Sequence, residues 1–111
     1  MWDFFQRLFD RRVGILAARD PQWRYVRKDY ILRNPRCIVC GGTNDLVAHH
    51  VKPFHLFPNL ELDHENLVTL CESKKYGVNC HLWFGHLGNF KLYNPDVISD
   101  AVMWRAKTGR G

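Results

Sequence analysis

Nowhere in this 111-residue chain do about 18 apolar residues run together, which excludes a conventional membrane-spanning helix and leaves no membrane partner expected. The opening stretch offers no apolar block for a secretory signal, because Asp3, Arg7, Asp10, Arg11 and Arg12 interrupt it. No internal repeat and no low-complexity tract occurs, which excludes a solenoid or a polar disordered array. Cysteine is sparse, at four residues, and the expected compartment is the cytoplasm, where reducing conditions favour metal ligation over disulfides. Acidic side chains are outnumbered, 11 against 16 Lys and Arg, and the resulting charge of +5 favours a polyanionic partner such as nucleic acid.

What is present is apolar and aromatic residues, 46% and 14% of the chain, sufficient for one modest core. Trp2, Phe5, Leu8, Phe9, Val13 and Leu16 follow a helical repeat and predict an N-terminal amphipathic helix within residues 1–20. Asp20 before Pro21 reads as an N-cap with proline at the first helical position, and Trp23, Val26 and Tyr30 mark one face of a second helix that Asn34-Pro35 stops. Its other face carries Arg24, Arg27, Lys28 and Arg33, either a solvated surface or, with Lys52 further on, a footprint for a phosphate backbone. From Cys37 to His86 the pattern turns to short β-type runs, Cys37 to Gly42, Leu46 to Ala48 and Leu67 to Leu70. Asn94-Pro95 repeats the capping signal, and Val97, Ile98, Ala101, Val102 and Trp104 suit a last helix closing before Gly109 within residues 94–111.

Cys37 and Cys40 form a C-x2-C pair followed by Gly41-Gly42, a spacing at which a tight turn brings two thiolates to one ion. Cys71 and Cys80 lie farther apart, with Gly77 between them to help the chain fold back. Four thiolates make a closed structural zinc site, able to contribute on the order of 10 kcal/mol to folding. The rival readings are free buried thiols, disulfides, or a site in which a neighbouring histidine replaces Cys80.

His49 and His50 stand together at the end of a predicted strand, where successive side chains point to opposite sides. One imidazole can then hold a metal while the other, neutral, takes a proton from water. Asn66 opens the next predicted strand, and His81 follows Cys80 directly, so a hairpin followed by a helix fastened at Cys80 would gather all four residues at one point.

Cys37-x2-Cys40, Ala48-His49-His50-Val51-x-Pro53, Asn66-Leu67-Val68-x-Leu70-Cys71 and Cys80-His81 together resemble the HNH endonuclease family, notably its zinc-stapled, phage-type members, over about residues 23–93. The resemblance implies an α+β fold with a small ββα-metal, treble-clef-like nuclease core and flanking helices, the nuclease domain occupying residues 21–93. It implies His49 and His81 as ligands of a catalytic divalent ion, His50 as general base and Asn66 as the support of the base's loop. It also makes His86 a further ligand, since related nucleases often carry one four residues beyond the helix histidine. Here the gap is five, which on a regular α-helix turns about 140° away rather than about 40°, so His86 reaches the ion only if Gly85 interrupts the helix. His55 and His64 read as loop residues without a metal role.

The implied reaction is metal-dependent hydrolysis of a DNA phosphodiester, nicking or cleaving, with Mg2+, Mn2+, Ni2+ or Zn2+ as the catalytic ion. A nitrogen-rich ligand set favours the softer metals. The implied setting is phage or mobile-element DNA processing, with a terminase or similar protein as partner, a monomer or weak dimer, and the host cytoplasm as location. The competing reading is a non-catalytic zinc module that binds DNA or protein, which accounts for the cysteines but not for the histidines and Asn66.

Overall fold

Backbone capping by Asp20 starts the first helix of the computed structural model, which describes residues 19–75 and 78–109. The Asp20 carboxylate accepts from the Gln22 N–H at 2.9 Å and its carbonyl from the Trp23 N–H at 2.9 Å, so α1 runs Trp23–Arg33, two residues inside the proline expected to open it. Trp23, Val26 and Tyr30 are half-buried, as their spacing predicts, and the Tyr30 hydroxyl donates to the Leu67 carbonyl at 2.9 Å. The helix expected at the N-terminus lies outside the described residues.

Strand β1 covers Leu46–His50 and β2 Leu67–Cys71, paired antiparallel with Leu46 opposite Cys71 and His50 opposite Leu67. Every residue of β2 is buried, which explains its apolar run; the one polar member, Thr69, donates its hydroxyl to the Asn34 carbonyl at 2.8 Å. Two 3₁₀ turns, Pro58–Leu60 and His64–Asn66, lie in the connection between the strands. The Cys37 to Gly42 segment, expected as a β-type run, forms a turn instead. The Gly41 N–H donates to the Cys37 carbonyl and the Cys37 N–H to the Gly42 carbonyl, both at 2.9 Å, and Gly41 takes the left-handed φ of +74° that closes the knuckle. The Ile38 N–H then docks this knuckle on β2 through the Thr69 carbonyl at 3.0 Å.

After Cys80 the expected helix is a single π-helical turn, His81–Gly85. The last helix, α2, runs Val97–Lys107. Asn94 holds the turn before it: its side chain donates to the Phe84 carbonyl at 2.9 Å and the Asp100 carboxylate at 2.8 Å while accepting from the Asp96 N–H. Helix α2 therefore begins three residues beyond the expected cap. Among the described residues, no helix is long and apolar enough to cross a membrane.

The core is small. Val39, Val68, Leu70, Val97 and Ala101 are buried together with the thiols of Cys37, Cys71 and Cys80. Among the described residues few large apolar side chains are fully buried, so a metal staple at the cysteines would add substantially to the stability of this core. The two strands, the knuckle and the turn after Cys80 make the expected small α+β, ββα-type arrangement.

Candidate metal and catalytic centre

The knuckle, the end of β2 and the start of the π-helical turn converge on the four cysteines, whose sulfurs lie within 4.8 Å of one another. The Cys40 and Cys71 sulfurs are 3.7 Å apart, and the Gly42 N–H points at the Cys40 sulfur from 3.4 Å, as thiolate ligands require. None of the four forms a disulfide. Cys80 belongs to this group rather than a histidine. Crowding lowers the Cys37 thiol to about 5, because its sulfur accepts from Cys80, and the same contact pushes Cys80 up. A thiol cluster that polarises itself in this way, buried and next to the core, fits a structural zinc site.

A second cluster lies one residue along the chain. His49, His81 and His86 place one nitrogen each within 4.8 Å of the others. Their rings stand edge to face, with centroids 5.0, 4.9 and 4.7 Å apart. His81 Nδ1 donates to the Glu72 carboxylate at 3.0 Å, and His86 Nδ1 donates to the Leu92 carbonyl at 2.7 Å. Both Nε2 atoms are thereby left as lone pairs, facing each other across 3.1 Å. His49 Nε2 is buried without a hydrogen-bond partner. Ring nitrogens of three histidines gathered within 4.8 Å, with one buried imidazole nitrogen lacking any protein partner, make a donor set that fits a divalent ion. The outward bonds to Glu72 and Leu92 orient two of the ligands and raise their basicity.

His86 enters this cluster because the chain winds through a π turn there. With i→i+5 rather than i→i+4 geometry, a residue five positions on returns to the same face. Gly85, buried in that turn, makes it possible: a Cβ there would meet His49 Cε1 at 3.0 Å, Leu70 Cδ1 at 3.1 Å and His49 Nδ1 at 3.2 Å. Burial, reinforced by the neighbouring imidazoles, lowers His49 to about 3, and burial also lowers His86. Both are therefore neutral at neutral pH, the form that ligates metal.

His50 points away from this cluster, as strand alternation dictates. Its Nε2 bonds the Glu61 main-chain carbonyl at 2.9 Å, and since a carbonyl only accepts, that nitrogen carries the proton and Nδ1 is left as the base. Trp23 stacks on the ring at 4.3 Å. Burial lowers the His50 pKa, opposed by the Glu61 carbonyl and helped by the Arg19 cation. Asn66 clamps the loop that supplies this carbonyl. Its side chain accepts from the Lys52 N–H at 2.8 Å and donates to the Lys52 carbonyl at 3.0 Å and to the Leu60 carbonyl at 3.3 Å.

A cleft of about 700 Å³ opens over His49, His50, His81 and His86, with Arg24, Arg27 and Lys28 of α1 along its wall. Arg33 instead pairs with Asp29 at 3.2 Å, and Lys52 sits over Phe57. His55 lines the cleft, whereas His64 packs edge-on against Tyr30. Sequence reasoning missed Glu72, Glu61, Arg19 and Trp23. Glu72 carried a signal, being the residue next to a thiolate ligand at the strand end; Glu61 lies in a long loop and carried none.

Fold and site together define a small α+β domain with one thiolate cluster and one histidine cluster hung on a single β-hairpin. Residues 37–82 match the family model described as HNH endonuclease. No curated protein and no solved structure matches the chain significantly.

Proposed function

We propose that this chain is a metal-dependent endonuclease that hydrolyses phosphodiester bonds of DNA, with residues 21–93 as the catalytic unit. One observation carries the reading: three imidazole nitrogens converge, one of them buried and unpartnered, while the next residue, His50, is tied through Nε2 and leaves Nδ1 as a base in the same cleft. The histidine cluster suits zinc, nickel, cobalt or manganese better than magnesium. The chemistry that such an ion supplies when bound by His49, His81 and His86 is stabilisation of negative charge on the phosphoryl group and the leaving oxygen.

The residues of the chain do the rest. His50 Nδ1 takes a proton from water while the water oxygen bonds to phosphorus; the bond to the 3′ oxygen breaks, and that oxygen takes up a proton from solvent. The Glu61 carbonyl and the Trp23 ring hold His50 in the required tautomer and orientation. Asn66 keeps the loop that carries Glu61 from drifting. Arg24, Arg27 and Lys28 place the DNA backbone along the cleft by charge, which positions a substrate without reading its sequence. One base and one histidine cluster fit cutting of one strand per encounter.

The test is cleavage of supercoiled plasmid by the protein depleted of metal and then supplied with Mg2+, Mn2+, Ni2+ or Zn2+, beside His50→Ala. The wild type is expected to nick in at least one metal and His50→Ala to lose about 10²–10⁴-fold in rate. If both leave the plasmid untouched in every metal, the protein is instead a non-catalytic zinc module, and if both cleave equally, His50 is not the base.

A further inference from the structure

Glu61 is 4% exposed yet keeps a carboxylate, at a place no catalytic motif accounts for. It accepts from Arg19 Nη1 at 3.4 Å and from the Asp20 N–H at 3.1 Å. Burying one charge against an arginine that stays half exposed is a poor way to stabilise a fold, because the desolvation cost rivals the attraction and an apolar pair of the same size serves as well. The pair makes sense if the arginine is needed where it is.

Its position is defined from three sides. The guanidinium carbon lies 4.3 Å above the Phe54 ring and 5.7 Å from the Trp23 ring, and the same Trp23 ring stacks on His50. The guanidinium lines the cleft together with His50. One N–H of the fork goes to Glu61, half of the side chain stays exposed, and the residue lines the cleft. Glu61 therefore serves two groups at once: its main-chain carbonyl fixes the tautomer of His50 and its carboxylate fixes the direction of Arg19.

We propose that Arg19 grips the scissile phosphate beside His50, with Glu61 as the residue that positions it. The assignment rests on the nuclease reading above. A guanidinium offers paired N–H donors at the spacing of two non-bridging phosphate oxygens, and here it already rests against the Phe54 and Trp23 rings and Glu61, which limits the entropy lost on binding. Arg24 differs: it is turned back onto Tyr25, to whose hydroxyl it donates at 2.8 Å, and is free of any tie to the base.

Two readouts test this. In the full-length His50→Ala protein, the affinity for a short fluorescent DNA duplex is measured against salt, with and without Arg19→Ala. In the His50 protein, kcat on the same duplex is measured for Arg19→Ala, Arg19→Lys and Glu61→Gln, with bound metal assayed in each variant. Arg19→Ala is expected to flatten the slope of log affinity against log salt by about 0.9, the value of one phosphate contact. It is also expected to lower kcat about a hundredfold with metal content unchanged. Arg19→Lys should restore the slope but not the full kcat, since an ammonium is a point charge without the fork. Glu61→Gln, which keeps an acceptor for the Asp20 N–H, should keep the slope and lose part of kcat. A slope unchanged by Arg19→Ala overturns the contact, and a flattened slope with unchanged kcat places it away from the scissile phosphate and overturns the assignment too. If the wild type cleaves nothing, the nuclease reading fails, while the slope still decides whether Arg19 holds phosphate.

Discussion

Gly85→Ala separates the packing of the histidine cluster from its chemistry. The added methyl would stand 3.0 Å from His49 Cε1 and 3.1 Å from Leu70 Cδ1. Both neighbours are enclosed, His49 at 3% and Leu70 at 0% exposure, so neither can swing into solvent to make room. Overpacking of this kind costs about 1–3 kcal/mol. Against it stands the helical preference for alanine over glycine, up to about 1 kcal/mol. The net is a loss of about 1 kcal/mol, or roughly 5 °C in Tm for a domain of this size. The larger effect falls on the metal, because the group displaced is His49, a member of the histidine cluster whose Nε2 is buried without a partner. A shift of a few tenths of an ångström there resembles the loss of an orienting partner, which weakens metal binding about 10–100-fold. Competition against a chromophoric zinc chelator, run beside thermal melting, reads both quantities. A variant that binds a second equivalent of zinc as tightly as the wild type would refute the claim that Gly85 makes room for His49.

Cys37→Ser is expected to lose the structural ion and much of the thermal stability together, since a core this small leans on its thiolate site; atomic absorption and calorimetry check it, and retention of both would remove the zinc assignment. Glu72→Gln should weaken metal binding at the histidine cluster by about tenfold while leaving the thiolate site loaded, as measured by metal titration, because the orienting bond to His81 Nδ1 loses its charge. With the histidine cluster free of metal, stability should fall on acidification. His49 is held at about 3 in the fold but titrates near 6.5 when unfolded, so between these values the unfolded chain binds more protons and is favoured as pH falls. Between pH 6.5 and 5 that amounts to about 2 kcal/mol, and a His49→Asn variant, compared by denaturant melts at both pH values, should lose this increment.

The thiolate and histidine clusters were legible because their residues sit at spacings that chemistry constrains. The hairpin was readable from two short apolar runs, and the strand alternation that divides His49 from His50 follows from backbone geometry alone. The turn after Cys80 was not readable in detail: seven residues with an aromatic pair give no periodicity to distinguish α from π winding, and only the misplaced spacing of His86 and the presence of Gly85 hinted at the outcome. The base's surroundings were hidden for a different reason. Glu61 and Arg19 are 42 residues apart and meet only because α1 packs on β1, a tertiary fact with no local signature. Helix boundaries shifted by two or three residues where the side chains of Asp20 and Asn94 formed turns ahead of the helices they introduce.

Neighbouring residues are shared out between the two clusters: Cys71 goes to one and Glu72 to the other, and likewise Cys80 and His81. The inert site and the reactive site are thus joined by single peptide bonds at two places, with no slack between them. Under the proposed two-metal reading, filling the cysteine cluster would fix the backbone from which His81 and its partner Glu72 project, so the geometry of the histidine cluster would depend on the cysteine cluster.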